Sequence, residues 1–451
     1  ASLRAPAHRA SSDGAGDRSP RRSYPTFLAL AGMYAATGMA LLAKGPIGLL
    51  PVIAIGLFSL LSTPLEAAAA DDGSTGWLIV ARRALQSLVR RLRPRHVWQS
   101  IGPLHPLMGL AIVCAVAGPW YVAVGLQTDG AWLAGFFGRH NVGRFLHPLE
   151  NHHGPIFYYL IAAVVGFFPW SLFLGPIAVL LKSRLADRDA GRARYSLLFC
   201  WIGTYLVFFS LAATKLPNYI APIYPPLALL AGHWLDAWLA GECQVPALLL
   251  RTAWTMLGLV GVVVSIALPL VARRLLGEGT ILAVVGLPLV AGSGLCFWFS
   301  ACSQRGRVAV AFAASAVASV LLLFGFGAVE VGRCQTSRTF ADAVRRQSPT
   351  GLVTVGTFGY WRPSLVFYLG PQVNLMHHID QARDFCRQWP ADRFLITTAD
   401  GYARLAPSLP SDVSVLVRQR WFLRPDELLL LGRDKSADTR MGALRWPTSN
   451  H

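Results

Sequence analysis

The sequence predicts an all-α polytopic membrane protein with a small α/β domain at its C-terminal end, outside the membrane. Three observations predict it. Only 14% of the 451 residues are charged and 54% are hydrophobic, with a mean hydropathy of +0.45; a soluble domain carries about 25% charged residues. Apolar runs of roughly 20 residues recur over most of the chain, each long enough for a hydrocarbon core about 30 Å thick. From residue 333 onward the composition turns soluble, and helix-like segments alternate with strand-like ones.

The formal net charge is +18 and the isoelectric point about 10.2. In a soluble chain that balance would suggest nucleic acid. Here the basic residues sit largely in short loops beside apolar runs, the positive-inside pattern. Membrane lipids, anionic ones above all, are the partner this implies, and a nucleic-acid partner is set aside.

Taken in order, residues 1–23 are small, polar and basic, lack the apolar core of a signal peptide, and read as a disordered tail. Residues 24–332 form the transmembrane domain, with about nine spans: near 25–43, 47–62, 106–126, 155–181, 195–213, 220–239, 251–272, 281–300 and 308–328. The first two are joined by almost no loop, so Lys44 falls at a tight hairpin near the membrane surface. Between the second and third, residues 63–104 carry Arg82, Arg83, Arg90, Arg91, Arg93 and Arg95 with Leu and Val between them. That pattern suits a cytoplasmic amphipathic segment lying on the membrane.

Alternation sets the sidedness. With 63–104 inside, the loop 127–154 is outside, and the basic loop holding Lys182, Arg184, Arg188, Arg192 and Arg194 returns inside as an independent check. The turn around Lys215–Tyr219 is then outside, as is everything after the last span. Arg273 and Arg274 disagree, being basic on the outer side. In the domain at 333–451, helices are expected at 336–347 and 379–388 and strands at 352–357, 394–397, 413–417 and 427–431, without a Gly-rich phosphate loop. The seven cysteines contain no C-x-x-C pair. Cys114, Cys200 and Cys296 read as packing residues, while Cys334 and Cys386 could pair in an extracytoplasmic domain.

Three outward segments converge on one face. Phe136–Tyr159 interleaves aromatics with Arg139, Arg144, His140, His147, His152, His153 and Glu150. Lys44 and the turn Thr214–Tyr219 add two lysines and a tyrosine. Such a set suits a lipid-linked phosphate. Arginine grips phosphate in bidentate fashion, lysine supplies a compact cation, and aromatic faces pack on sugars or polyprenyl chains. Each residue also has a plainer reading: Lys44 as a snorkelling lysine, Lys215 as a helix-end anchor, Arg139 and Arg144 as headgroup contacts, His140 as a loop histidine.

The residues Leu42–Pro46 (LAKGP), Gly118–Tyr121 (GPWY), Phe137–Phe145 (FGRHNVGRF) with Pro155–Tyr159 and Phe168–Trp170, and Lys215–Tyr219 (KLPNY) with Pro222 occur in an order that is specific as a set. Pro363–Gly370 (PSLVFYLG) extends the match. The chain resembles the bacterial aminoarabinose-transferase and protein-mannosyltransferase-like enzymes, integral-membrane glycosyltransferases of the C superfold, from about residue 25 to about 433. The resemblance implies an inverting glycosyltransferase of the bacterial inner membrane with a periplasmic C-terminal domain. It would move a sugar from a polyprenyl-phosphate donor to lipid A, a protein or another glycan. By the same resemblance Lys44, Arg139, His140, Arg144, Lys215 and Tyr219 would bind substrate, and His140 would help hold a divalent metal.

The chain departs from the family at its start. The acidic first outer loop and the acid preceding the lysine-glycine motif are absent, as if about four spans preceded Tyr24. The outward acids present are Asp129, Glu150, Glu278 and Glu330; Glu150, nearest the basic loop, is the weak candidate for a base. A non-catalytic lipid-binding or assembly protein is therefore the alternative reading. A transporter is disfavoured, because charges inside the spans are few and no pair of broken helices recurs in symmetric halves.

Overall fold

Thr26 opens the first helix by accepting the Ala29 N–H at 3.3 Å, a side-chain N-cap. Helix α1 (Phe27–Lys44) runs to Gly45, whose φ of +65° stops it. A short 3-10 turn, Gly45–Leu49, leads into α2 (Leu50–Ser62). A Cβ placed on Gly48 would lie 2.7 Å from the Ala40 carbonyl carbon. In a continuous helix residues eight apart are about 12 Å apart along the axis, so the chain doubles back at Gly45–Gly48. The lysine lies at this reversal, as the hydropathy pattern indicated.

The computed structural model describes residues 26–65, 77–148, 153–186, 191–276, 280–333, 335–348, 353–370, 373–390, 392–422, 424 and 426–433. The chain divides into two units, Ala1–Val245 and Pro246–His451.

In the first unit, α3 (Trp77–Arg91) and α4 (Pro94–Ile101) precede α5 (Pro106–Gln127), which packs along α1. Tyr34 donates to the Leu104 carbonyl at 2.8 Å and Tyr121 to the Leu41 carbonyl at 2.9 Å. The second bond adds a side-chain donor to a carbonyl of the last turn of α1 that also accepts the Gly45 N–H. Beyond α5 the residues Ala134–Gly143 wind as a π-helix. The run expected at 155–181 is not one straight span. It is α6 (Tyr158–Gly166) and the stretch Trp170–Leu185 with α7 (Leu174–Ala186), bent by 105°. Pro169 lies in that break, and a proline supplies no N–H to carry a helix across it. Helices α8 (Gly191–Leu211) and α9 (Tyr224–Leu239) complete the unit, joined through a 3-10 segment Pro217–Ile223. Leu50, Tyr159, Ala163, Tyr205, Phe209, Ile220 and Ile223 form its buried core between α2, α6 and α8.

The second unit begins with α10 (Ala247–Leu276), α11 (Leu287–Ala301) and α12 (Arg305–Leu321). Gly261 lets α10 come close to the next helix: a Cβ there would lie 2.9 Å from the Gly286 carbonyl. Ser293 donates to the Trp254 carbonyl at 2.8 Å, a polar tie between α10 and α11. Among the described residues six helical stretches are long and apolar enough to span a membrane, or seven if the bent pair is one span. The first of them is Phe27–Ser62, which doubles back and so serves as the two runs expected there. Large apolar side chains along the spans, such as Leu107, Leu110, Val122 and Leu126 on α5, are exposed as lipid would require.

The remaining residues build a five-stranded sheet. Its strands are β1 (Thr354–Phe358), β2 (Val373–Met376), β3 (Arg393–Thr398), β4 (Val413–Arg420) and β5 (Glu427–Arg433), in the order β2-β1-β3-β5-β4. β1 pairs in parallel with β2 and β3; β5 pairs antiparallel with β3 and β4. Helices α13 (Thr336–Gln347) and α14 (Pro363–Leu369) contribute Phe340, Val344 and Leu365 to the core on one face. Helices α15 (Ile379–Arg387) and α16 (Ala399–Leu405) contribute Ala382, Cys386 and Leu405 on the other. Coverage of both faces explains why Phe394–Ile396 and Leu428–Leu431 are unbroken apolar runs. β2, α14 and α16 escape a hydropathy reading because each is seven residues or shorter. Arg420, at the end of β4, donates to the Arg274 carbonyl of α10 at 2.7 Å.

Cys386 is wholly buried in the second core and is a free thiol; Cys334 lies outside the described residues. Burial raises the Cys386 pKa to about 11, with Arg393 pulling weakly the other way.

Candidate functional site

The three segments expected to converge do so around one cavity of about 260 Å³. Pro46 and Ile47 come from the reversal after α1. His140, Asn141, Val142, Arg144, Phe145 and Leu146 come from the π-helix and the turn after it. Phe208, Phe209, Ala212, Thr214 and Tyr219 come from the end of α8 and the segment that leads on to α9. The walls are mainly apolar, with a few polar groups among them, the composition of a small-molecule site.

Aromatic packing places the π-helix. The Trp132 and Phe136 rings stack with centroids 4.6 Å apart, and Trp120 meets Trp132 edge-on at 4.8 Å. Tyr121 and Phe137 close the cluster at 5.4 Å. Gly45 fits beneath it: a Cβ there would lie 2.9 Å from the Phe136 ring and 3.2 Å from Asn141 Oδ1. Asn141 donates its side-chain amide to the Phe136 carbonyl at 2.7 Å, five residues back, which supports the wider π-helical turn.

Arg144 is the centre of the site. Its Nη1 donates to the Tyr219 hydroxyl at 3.1 Å. Its Nε is buried and has no hydrogen-bond partner among the described residues. A buried guanidinium N–H without an acceptor is costly unless a ligand supplies one. The backbone around it is stitched to the segment after α8. Ala213 N–H donates to the Phe145 carbonyl at 2.7 Å, and the Thr214 hydroxyl donates to the Arg144 carbonyl at 2.7 Å.

Lys215 is placed otherwise than the sequence suggested. It does not line the cavity. Only 6% exposed, it turns inward and donates to the carbonyls of Phe209, Ser210 and Ala212 at 3.0, 2.7 and 2.7 Å. These three bonds use all three ammonium donors and satisfy orphan carbonyls at the end of α8. Burial pushes its pKa below the ordinary lysine value. The ammonium also sits 5.4 Å from the Tyr159 ring centroid, and the Tyr159 hydroxyl accepts the Leu216 N–H at 3.1 Å. The helix-end anchor, the plainer of the two readings, describes this geometry.

Of the other expected residues, His140 and Tyr219 line the cavity, whereas Lys44 and Arg139 are exposed and do not. Glu150, His152 and Glu278 lie outside the described residues. Asp129 is exposed in the turn after α5 and is not among the lining residues; Glu330 is paired with Arg333 at 2.8 Å. No carboxylate among the described residues lines the cavity. The metal expectation meets the same shortage. Among the described residues no three His, Cys, Asp or Glu side chains come together to hold an ion. Among the described lining residues His140 has Asn141, Thr214, Tyr219 and the cationic Arg144 as polar company, a poor donor set for a divalent metal. Asn141 and Thr214 are the polar lining residues that sequence reasoning missed; both lie inside segments that stand out for their charged neighbours.

No protein-family profile matches the chain. Curated relatives do. It is 42% identical over 129 residues to the undecaprenyl phosphate-alpha-4-amino-4-deoxy-L-arabinose arabinosyl transferase of Pectobacterium carotovorum, covering 28% of this chain and 22% of that protein. It is 31% identical over 199 residues to the protein of the same description from Erwinia tasmaniensis, covering 44% and 29%. The corresponding figures for Photorhabdus laumondii are 32% over 197 residues, covering 42% and 34%. The matches thus span between about a fifth and a third of these relatives' length. Two crystal structures of ArnT from Cupriavidus metallidurans share the fold. The one bound to undecaprenyl phosphate gives a TM-score of 0.62 at 20% identity, over 93% of this chain and 71% of that one. The apo structure gives 0.59 at 20% identity, over 90% and 68%. The chain is therefore a multi-pass membrane protein of ArnT-like fold and a sequence relative of aminoarabinosyl transferases, as the motifs indicated.

Proposed function

We propose that this chain binds a polyprenyl-phosphate sugar in the cavity around Arg144 and serves an inverting glycosyltransferase reaction on the periplasmic side of the bacterial inner membrane. The observation that carries the reading is Arg144 in the wall of a mainly apolar cavity, with a buried Nε that finds no acceptor among the described residues. The relatives' description supplies the substrate class: an aminoarabinose carried on undecaprenyl phosphate. The ArnT structure bound to undecaprenyl phosphate supports the same lipid. Lipid A is the acceptor in this proposal.

The chemistry divides between phosphate and chain. As an acceptor oxygen attacks the sugar's first carbon, the bond to the phosphate oxygen breaks and the electron pair leaves with the polyprenyl phosphate. Arg144 offers its guanidinium charge to the oxygens on which that charge grows. Tyr219 fixes the guanidinium through Nη1 and turns its own hydroxyl proton toward a second acceptor. Ile47, Leu146, Phe208 and Phe209 cover the first isoprene units, at about 0.8 kcal/mol per buried CH₂.

A second reading has its own observation. No described carboxylate reaches the cavity to take the acceptor's proton, so the chain would bind the lipid phosphate without transferring its sugar. One experiment separates the two. The purified chain is given undecaprenyl-phosphate aminoarabinose and lipid A. Sugar transfer that Arg144→Ala abolishes supports the enzyme. Donor binding without transfer supports the second reading. Absence of both refutes the site.

A further inference from the structure

Helix α3 and Leu92, the residue after it, carry an apolar stripe that nothing among the described residues covers. Leu85, Leu88, Val89 and Leu92 are 62, 49, 55 and 59% exposed. Their spacing of three, four and seven residues puts them on one helical face. Trp98 of α4 is 65% exposed beside them in sequence. The same helix holds four arginines and no acid (WLIVARRALQSLVRR), and Arg93 and Arg95 follow at once.

The stripe has a fixed place. Arg91 donates through Nη1 to the Leu60 and Thr63 carbonyls at 2.8 and 3.1 Å, so it caps the end of α2. Ser59 donates to the Ser100 carbonyl at 2.6 Å, tying α4 to the same helix end. The α5 span begins five residues after α4 ends. α3 and α4 thus sit where spans α2 and α5 meet the membrane surface, at the opposite end of α2 from Pro46 and Ile47.

We propose that α3 is an in-plane membrane anchor for anionic lipid. Leu85, Leu88, Val89 and Leu92 enter the acyl region, and Arg82 and Arg93, both exposed, meet lipid phosphates. Charge decides the occupant. Each arginine near an anionic surface adds about 1 kcal/mol, whereas a second copy packed on the stripe would bring two arginine-rich, acid-free helices together. An arginine-rich helix with a leucine face and little net hydrophobicity lies in the interface rather than across it. The proposal does not depend on the glycosyltransferase reading, since the arginines and leucines it uses lie outside the cavity.

The test is spin labelling of the full chain in lipid nanodiscs, in a background lacking Cys114, Cys302 and Cys334. Nitroxides are placed singly through Leu85→Cys, Gln86→Cys, Leu88→Cys and Leu92→Cys. In phosphatidylcholine mixed with phosphatidylglycerol, oxygen should relax the labels at 85, 88 and 92 more than a water-soluble nickel chelate does, with the order reversed at 86. That contrast should shrink in phosphatidylcholine alone and on adding Arg82→Gln with Arg93→Gln. Chelate-dominated relaxation at all four sites would overturn the anchor. So would spin–spin broadening with poor access to both agents, which would place a second copy on the stripe. Equal contrast in both lipids would overturn the anionic preference.

Discussion

The Arg144 guanidinium meets the Tyr219 hydroxyl at 3.1 Å across 75 residues of sequence. That bond joins the π-helical segment to the turn after α8, and the buried Nε finds no acceptor among the described residues. A hydrogen bond to a charged group contributes about 1.5–3 kcal/mol. Arg144→Ala should therefore weaken undecaprenyl-phosphate binding by about 10- to 150-fold at fixed salt. Arg144→Lys should recover little of it, because a point charge cannot reproduce a planar two-donor grip. Titration of the lipid phosphate into purified variants checks both.

Tyr219→Phe keeps the ring and removes the hydroxyl. The bond it accepts from the charged guanidinium contributes about 1.5–3 kcal/mol, so the melting temperature should fall, and donor binding should fall less than in Arg144→Ala because the cation remains. A loss as large as that of Arg144→Ala would mean that the hydroxyl itself carries the phosphate.

Lys215→Met should act on stability first. It strips three donors from the end of α8 and leaves the Phe209, Ser210 and Ala212 carbonyls short of partners. The expected cost is about 2–4 kcal/mol, read as a lower melting temperature in detergent. Lys215→Arg should not rescue it, since a planar guanidinium cannot converge on three carbonyls in a site only 6% exposed. Unchanged melting with lost phosphate binding would instead make Lys215 a direct ligand.

Gly45→Ala tests the reversal that supplies Pro46 and Ile47. The positive φ costs a non-glycine residue about 1–2 kcal/mol, and the new methyl would press on the Phe136 ring. A lower melting temperature and weaker donor binding should appear together.

Cys386 should resist a maleimide at neutral pH until the protein is denatured. Its pKa near 11 leaves little thiolate, and its side chain is fully enclosed. Rapid labelling of the native protein at Cys386 would show that the second core opens.

Much of the site was legible because charge marks it. Arginines and lysines in a chain that is only 14% charged stand out, and their alternation across apolar runs placed three segments on one side. Arg144, Tyr219 and His140 were found that way. What stayed hidden depends on where donors point. Nothing in the residue type of Lys215 says that its ammonium turns back to three carbonyls, or that Lys44 and Arg139 stay outside the cavity. Asn141 and Thr214 are uncharged and act partly through backbone partners. The π-helix at 134–143 has no period that separates it from an ordinary loop rich in glycine and aromatics. The 105° bend looked like continuous hydropathy because both of its arms are apolar. In the C-terminal domain, β3 and β5 were readable as unbroken apolar runs, whereas the four-residue β2 has two exposed positions and no alternation long enough to count.

The most direct test of the cavity is photocrosslinking with a diazirine-bearing polyprenyl phosphate, mapped by peptide mass spectrometry. Adducts should fall on the peptides holding Phe145–Leu146 and Phe208–Phe209, compete with undecaprenyl phosphate, and fade in Arg144→Ala but not in Arg139→Ala. Adducts elsewhere in the chain, or adducts at these peptides that Arg144→Ala leaves undiminished, would contradict a phosphate site built on Arg144.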